Sequence, residues 1–396
     1  MAEDRRPESI LDMLTMENPS VGYGKMKSRT LTQSPFWWTP QQLRPWTEFS
    51  YETLGTVFDG RLLEFAQEKR RQLPCHPHPH PRYCKVAKEA VTRDLIMKWN
   101  HTIVSTALEL TDPEFSPTFW VGDVSDSETD KDDQGNNQDD DRPPKKKLQK
   151  TMAKKKKEKK WLFPDGGAEV EKGGGTSRGE RLPKDYKAAL KWHSQMVFED
   201  DLLDEDGMWK KSSSKLRMAA RPIRQVYTYC VNTQCRYGCI LTTEEIFIVR
   251  IGPRIGAKRH LTTGNTTQTE PGDLKKLLKK NGLMEYISIP WGNHNNGDCL
   301  NYKQLTINLA TWFIHILAGN NHEIDWWHPA LRLTGSTWKR PVADMSQEPS
   351  SRPIKYLPKK RRREEDTEET IYHSFLQHQP LVMKVCVFQQ LYVNNL

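Results

Sequence analysis

Leu182-Pro183-Lys184-Asp185-Tyr186-Lys187 is the stretch on which the reading of this chain turns. Residues two apart in a strand project from the same face, so a strand here sends Asp185 and Lys187 into one site together. Asp165 stands 20 residues upstream in Pro164-Asp165, directly after the short apolar run Trp161-Leu162-Phe163. Downstream, Arg224-Gln225-Val226-Tyr227-Thr228-Tyr229 places Gln225 and Tyr229 four apart, on one face of a helix. A paired set of carboxylates, Asp165 and Asp185, is the donor chemistry of Mg²⁺, a hard cation that takes oxygen ligands and keeps several waters. Lys187 beside them brings a positive charge to the same point.

In order, Pro164-Asp165, Asp185-Tyr186-Lys187 and Gln225 through Tyr229 resemble the PD, (D/E)-x-K and Q-x-x-x-Y motifs of the restriction-endonuclease-like nuclease superfamily. The neighbourhood of Leu182 to Lys187, Lys191-Trp192, Arg224-Gln225, Arg236-Tyr237-Gly238 and Leu241-Thr242 resembles something narrower. It is similar to a family of uncharacterised fungal proteins with a divergent nuclease-like core, which in some relatives precedes a fungal-type protein kinase domain. The resemblance spans about residues 160 to 320. It implies an α/β (α+β) fold, a mixed sheet flanked by helices, and a site of Asp165, Asp185, Lys187, Gln225 and Tyr229, with Mg²⁺ on Asp165 and Asp185. Two readings of the first motif stand side by side, because Pro117-Thr118-Phe119-Trp120 rivals Pro164-Asp165 and has Thr118 where the acid belongs. Pro164-Asp165-Gly166-Gly167 is also a good turn with no metal required. Gln225 and Tyr229 have a plainer reading as a surface amide and a core aromatic. No glycine-rich phosphate loop, H-R-D or D-F-G set is present, so the kinase domain of those relatives is not in this chain.

The chain has 396 residues and a formal net charge of +9, with 36% hydrophobic and 28% charged residues. The apolar content is too thin to spread evenly over that length. Asp123 to Asp141 holds nine acidic residues and one lysine, and Arg142 to Lys160 holds eleven basic residues and one glutamate. Such blocks predict a disordered insert from 123 to 160. A disordered tail is expected over 1–45, a helical part of the core over 46–122 and the nuclease-like core over 161–338. Beyond these come a second low-complexity segment over 339–371 and a final segment, with strand character in Leu381 to Phe388, over 372–396. The spacing predicts a helix over 51–72, a long amphipathic one over 83–110 and others over 224–231, 273–280 and 303–318. Strands are expected at 238–242, 246–251 and 286–289.

Seven scattered cysteines predict free thiols, and the polar N-terminus with no long apolar run predicts an intracellular protein without a membrane span. Lys359-Lys360-Arg361-Arg362-Arg363 is a candidate nuclear import signal, which puts the protein in the nucleus or cytoplasm. Cys75, His76, His78, His80 and Cys84 lack zinc-finger spacing and suit only adventitious metal. Trp37-Trp38 and Trp326-Trp327 read as core aromatics, or as platforms for bases or a partner. The expectation for function is a degenerate nuclease-like domain that binds nucleic acid or protein without catalysis. The alternative is a Mg²⁺-dependent phosphodiester hydrolase using Asp165, Asp185 and Lys187.

Overall fold

In this computed structural model the residues described are 6–25, 31–121, 164–170, 181–199, 202–210, 218–254, 271–294, 304–326 and 328–335. The charged insert over 123–160, the import signal and the apolar run at 381–388 lie outside them.

The described chain is mixed α and β. Its strands are β1 (Gly22–Tyr23), β2 (Gln42–Pro45), β3 (Lys85–Val86), β4 (Phe119–Val121), β5 (Gly167–Glu169), β6 (Lys184–Tyr186), β7 (Tyr237–Leu241), β8 (Glu245–Pro253) and β9 (Gly282–Pro290). Five of them form one mixed sheet in the order β2-β9-β8-β7-β6. The β7-β8-β9 meander is antiparallel, whereas β6 pairs with β7 in parallel and β2 with β9 in parallel. The parallel β6–β7 connection runs through the helix Arg221–Thr233, as a parallel crossover requires. A separate antiparallel pair, β4 with β5, reaches toward the sheet through a bridge between Gly166 and Lys184.

The run Ile246-Phe247-Ile248-Val249 is apolar without alternation because both faces of the sheet are covered. Ile246 and Ile248 pack on one cluster with the helix Ile307–Asn320, while Phe247, Val249 and Ile251 pack on another with the helix Arg221–Thr233. The same alternation sorts β6: Lys184 and Tyr186 turn toward the helical side and leave Asp185 for the opposite face. Its three residues include no proline, and Pro183 still contributes its carbonyl as acceptor from the Cys239 amide at 3.1 Å.

Residues 1–45, expected as a tail, are built into the core over much of their length. Ile10, Met13 and Leu14 of the helix Ile10–Leu14 are fully buried. Asn18 Oδ1 accepts from Trp99 Nε1 at 3.0 Å and from Asn100 Nδ2 at 3.1 Å, and the Asn100 amide also donates to Asn308 at 2.8 Å. Strand β2 then closes the sheet edge, with Arg44 paired to Glu285 of β9 at 2.7 Å. Sparse apolar residues concealed this segment, since its contacts are with elements far along the sequence, from the helix Arg61–Gln67 to the helix Ile307–Asn320.

The helix expected over 51–72 breaks at Gly55 and at Gly60, whose φ of +87° no helix accommodates, into Tyr51–Leu54 and Arg61–Gln67. The long helix begins at Glu89 and carries a π turn over Met97–His101, where Trp99 and Asn100 point into the core. Strand β9 is twice the expected length and starts at Gly282, immediately after the helix Pro271–Asn281. A side chain at Gly282 would collide with the Tyr227 hydroxyl, which donates to the carbonyl of Leu278.

Thr306 caps the helix Ile307–Asn320 by accepting from the Leu309 amide at 3.1 Å and itself donates to the carbonyl of Leu14 at 2.6 Å. Thr306→Ala removes both bonds and is expected to cost about 1–2 kcal/mol in urea unfolding. A cost near zero would mean that the N-terminal segment is not held by this helix start.

Candidate active site

Asp185 ends its side chain against two elements at once. Gln225 Nε2 donates to Asp185 Oδ1 at 3.0 Å and to the Tyr229 hydroxyl at 2.8 Å, so the one-turn spacing on the helix Arg221–Thr233 brings both side chains to the β6 aspartate. Lys187 Nζ lies 2.6 Å from Asp185 Oδ2 and donates to the carbonyl of Tyr186 at 3.1 Å. Asp165, in the turn before β5, accepts from the Tyr186 amide at 3.2 Å. Its carboxylate is close enough to that of Asp185 to raise the latter's pKa.

All five residues singled out in the sequence therefore meet at one point. Thr118 does not join them: it is fully buried on the other side of β6 and bonded to His315, so Pro164-Asp165 is the position that supplies an acid. Tyr229 and Gln225 are both nearly buried and bonded within the site, which excludes the surface-amide reading.

The sequence did not single out Glu89. Its Oε1 stands 3.8 Å from Lys187 Nζ, and it is the first residue of the helix Glu89–Ile96. An acid in a first helical turn is favoured there by the helix dipole alone, so nothing in the sequence marks it as different.

The site is buried at its floor and open at its rim. Asp185 is inaccessible and Lys187 nearly so, while Asp165 is half-buried and Glu89 has 37% of its side chain exposed. Burial pushes the Asp185 pKa up to about 8, with the Asp165 charge adding to the rise and Lys187 opposing it. Lys187 moves up as well, because the charges of Asp185 and Glu89 outweigh its own desolvation.

No protein-family model matches this chain, and no curated protein or solved structure matches it.

The donor set fits a hard divalent cation. Asp185 Oδ2 is buried and accepts no hydrogen bond among the described residues, the Lys187 ammonium stands 2.6 Å from it, and Asp165 presents a second carboxylate close to that of Asp185. Among the described residues no group of three or more His, Cys, Asp or Glu side chains is placed to hold a metal. Two carboxylates with water completing the shell is a set that suits Mg²⁺ better than Zn²⁺. The Cys75 to Cys84 segment offers no rival: His78 stacks on Trp99 at 4.7 Å and Cys84 is buried. A concavity of about 490 Å³ lined by Gln42, Asp204 and Tyr286 lies at the opposite edge of the sheet and shares no residue with this site. No helix among the described residues is long and apolar enough to cross a membrane.

Proposed function

We propose that this chain is a divergent restriction-endonuclease-like protein that hydrolyses phosphodiester bonds with Mg²⁺ held by Asp165 and Asp185. The observation that carries this reading is the meeting of Asp165, Asp185, Lys187, Gln225 and Tyr229, drawn from a turn, a strand and a helix, around the buried carboxylate of Asp185. Residues spread over more than sixty positions converge in the order of the PD, (D/E)-x-K and Q-x-x-x-Y motifs. The mixed sheet, with one helix crossing between its parallel strands, supports the same assignment.

Bound there, Mg²⁺ would supply Lewis acidity toward a phosphate oxygen and toward a water. Asp185 would give up its proton to take part, against the charge of Asp165, which a bound cation would offset. Gln225 fixes the rotation of the Asp185 carboxylate through Oδ1, so Oδ2 would be the oxygen available to a cation. Lys187 would donate toward a phosphate oxygen, and so stabilise charge where it develops. Tyr229 keeps the Gln225 amide oriented.

Incubation of the purified chain with end-labelled DNA and RNA strands, with MgCl₂ or with EDTA, tests this. Mg²⁺-dependent shortening of either strand is expected, and its absence on both would leave the second reading. That reading is a non-catalytic binding domain, favoured by the 2.6 Å contact in which Lys187 already occupies the place of a cation.

A further inference from the structure

Three neighbouring elements gather aromatic rings and cations on a surface that the proposed chemistry does not use. The turn Phe36-Trp37-Trp38 is pinned to the helix Arg221–Thr233: the Trp38 amide donates to Thr228 Oγ1 at 2.8 Å and the Arg224 guanidinium to the Trp37 carbonyl at 2.6 Å. Trp37 is buried, as the core reading of the pair expected, but Trp38 is only half-buried and Phe36 is 65% exposed. From the helix Pro271–Asn281, Lys279 Nζ sits 4.3 Å from the Trp38 ring centre and Lys275 Nζ 5.9 Å.

The charge here is uncompensated within the described residues. No ion pair joins a described carboxylate to Lys275, Lys279, Arg221 or Arg224, whereas Arg44, Arg61, Lys187 and Arg250 all have one. Burial lowers the Lys275 pKa and the charge of Lys279 lowers it further; burial and then Arg221 act on Arg224 in the same way. Arg224 Nε is buried without a hydrogen bond. Like charges left together with no described carboxylate paired to them are the features of a surface that suits an anion. Arg221 also lies one turn from Gln225 on the stripe that continues to Tyr229, so this surface leads along the helix toward the site.

We propose that Phe36, Trp38, Arg221, Arg224, Lys275 and Lys279 form a binding platform for single-stranded nucleic acid. The inference rests on the reading of the neighbouring site as a phosphodiester hydrolase and names its substrate class. Lysines anchored over Trp38 meet successive phosphates, and the exposed Phe36 ring takes an unpaired base, whose face a duplex would hide.

The test is fluorescence anisotropy of labelled dT20 and of a duplex of equal length, in EDTA, with the full chain carrying Asp185→Ala. Neither cleavage nor its absence then affects the readout, so failure of this proposal is separate from failure of the catalytic one. Lys275→Glu with Lys279→Glu is expected to weaken dT20 binding by about tenfold or more and to flatten the dependence on salt by roughly 1.4 in log–log slope, from two phosphate contacts at about 0.7 each. Lys69→Glu with Lys85→Glu, two exposed lysines elsewhere, makes the same change in net charge and is expected to have little effect. Phe36→Ala, at a position too exposed to disturb folding, is expected to weaken dT20 roughly five- to hundredfold with the salt slope unchanged. Equal losses in both lysine pairs, tighter binding of the duplex, or binding of a polyglutamate peptide in place of dT20 would overturn the platform.

Discussion

Asp185→Ala is expected to lower Mg²⁺-dependent cleavage by at least about 10²-fold, because it removes the only group that links the ion, Gln225 and Lys187. Lys187→Ala is expected to reduce turnover while leaving the requirement for Mg²⁺, since the role proposed for the lysine is toward the phosphate and not toward the ion. The pH dependence follows from the raised pKa of Asp185. A carboxyl that holds its proton up to about pH 8 must lose it to bind a cation, so activity at limiting Mg²⁺ rises about tenfold per pH unit toward pH 8 and then levels. Saturating Mg²⁺ competes with the proton and moves that rise to lower pH. Stability runs the other way in EDTA. The folded pKa lies above the ordinary 3.8, so the contribution of Asp185 is fully present below about pH 4 and is lost as the pH climbs through about 8. The Asp185→Asn variant is expected to lack that decline when the two are unfolded in urea across pH 4 to 8. Cleavage that survives Asp185→Ala would remove the residue from the chemistry.

The second large effect lies on the other face of β6. Lys184 is fully buried, its Nζ 2.6 Å from His315 Nε2 and 3.6 Å from the centre of the Trp120 ring. Thr118 Oγ1 donates to the His315 carbonyl and accepts from Nδ1, which leaves Nε2 to accept from the lysine. Two opposing influences act on Lys184. The Trp120 face favours the ammonium by about 2 kcal/mol at most, but the loss of hydration at a fully buried site is larger, and the pKa falls well below 10.5. His315 is driven down in the same way, by burial first and by Lys184 second. The unfolded lysine then binds a proton that the folded one does not, so stability rises with pH until the unfolded group titrates near 10.5. The difference in unfolding free energy between wild type and Lys184→Met is expected to change in favour of wild type as the pH rises toward 10.5, by at most about 1.4 kcal/mol per pH unit. Subtracting the variant removes the contribution of Asp185. A pH-independent difference would mean that Lys184 keeps its charge in the fold.

Much of this arrangement was legible from side-chain periodicity. Asp185 and Lys187 share a face because a strand alternates, and Gln225 and Tyr229 share one because a helix repeats near four. The β7–β8 hairpin and the helix ending at Gly319-Asn320 follow from apolar runs and their stops. What stayed hidden depends on distant pairing. Lys184, one residue from the motif, gave no sign that it would be buried against His315, 131 positions away. The segment around Ile10–Leu14 is too short to show a period, and only its burial against the 102–110 and 307–320 helices makes it structural. Strand β2, Gln-Leu-Arg-Pro, has no strand composition and exists because Arg44 and the backbone of β9 hold it. Glu89 reaches the site only because the helix Glu89–Ile96 packs beside β6 and sets its first residue 3.8 Å from Lys187.

The proposed chemistry requires one divalent cation at Asp165 and Asp185. Mn²⁺, a stand-in of the same ligand preference, can be titrated into the full chain and followed by electron paramagnetic resonance, which separates free from bound ion. The prediction is a bound Mn²⁺ in the wild-type chain that Mg²⁺ displaces, that Asp185→Ala abolishes and that Asp165→Ala weakens, with weak binding to the acidic block at 123–141 unchanged in both variants. Bound manganese that is identical in wild type and in Asp185→Ala would contradict it.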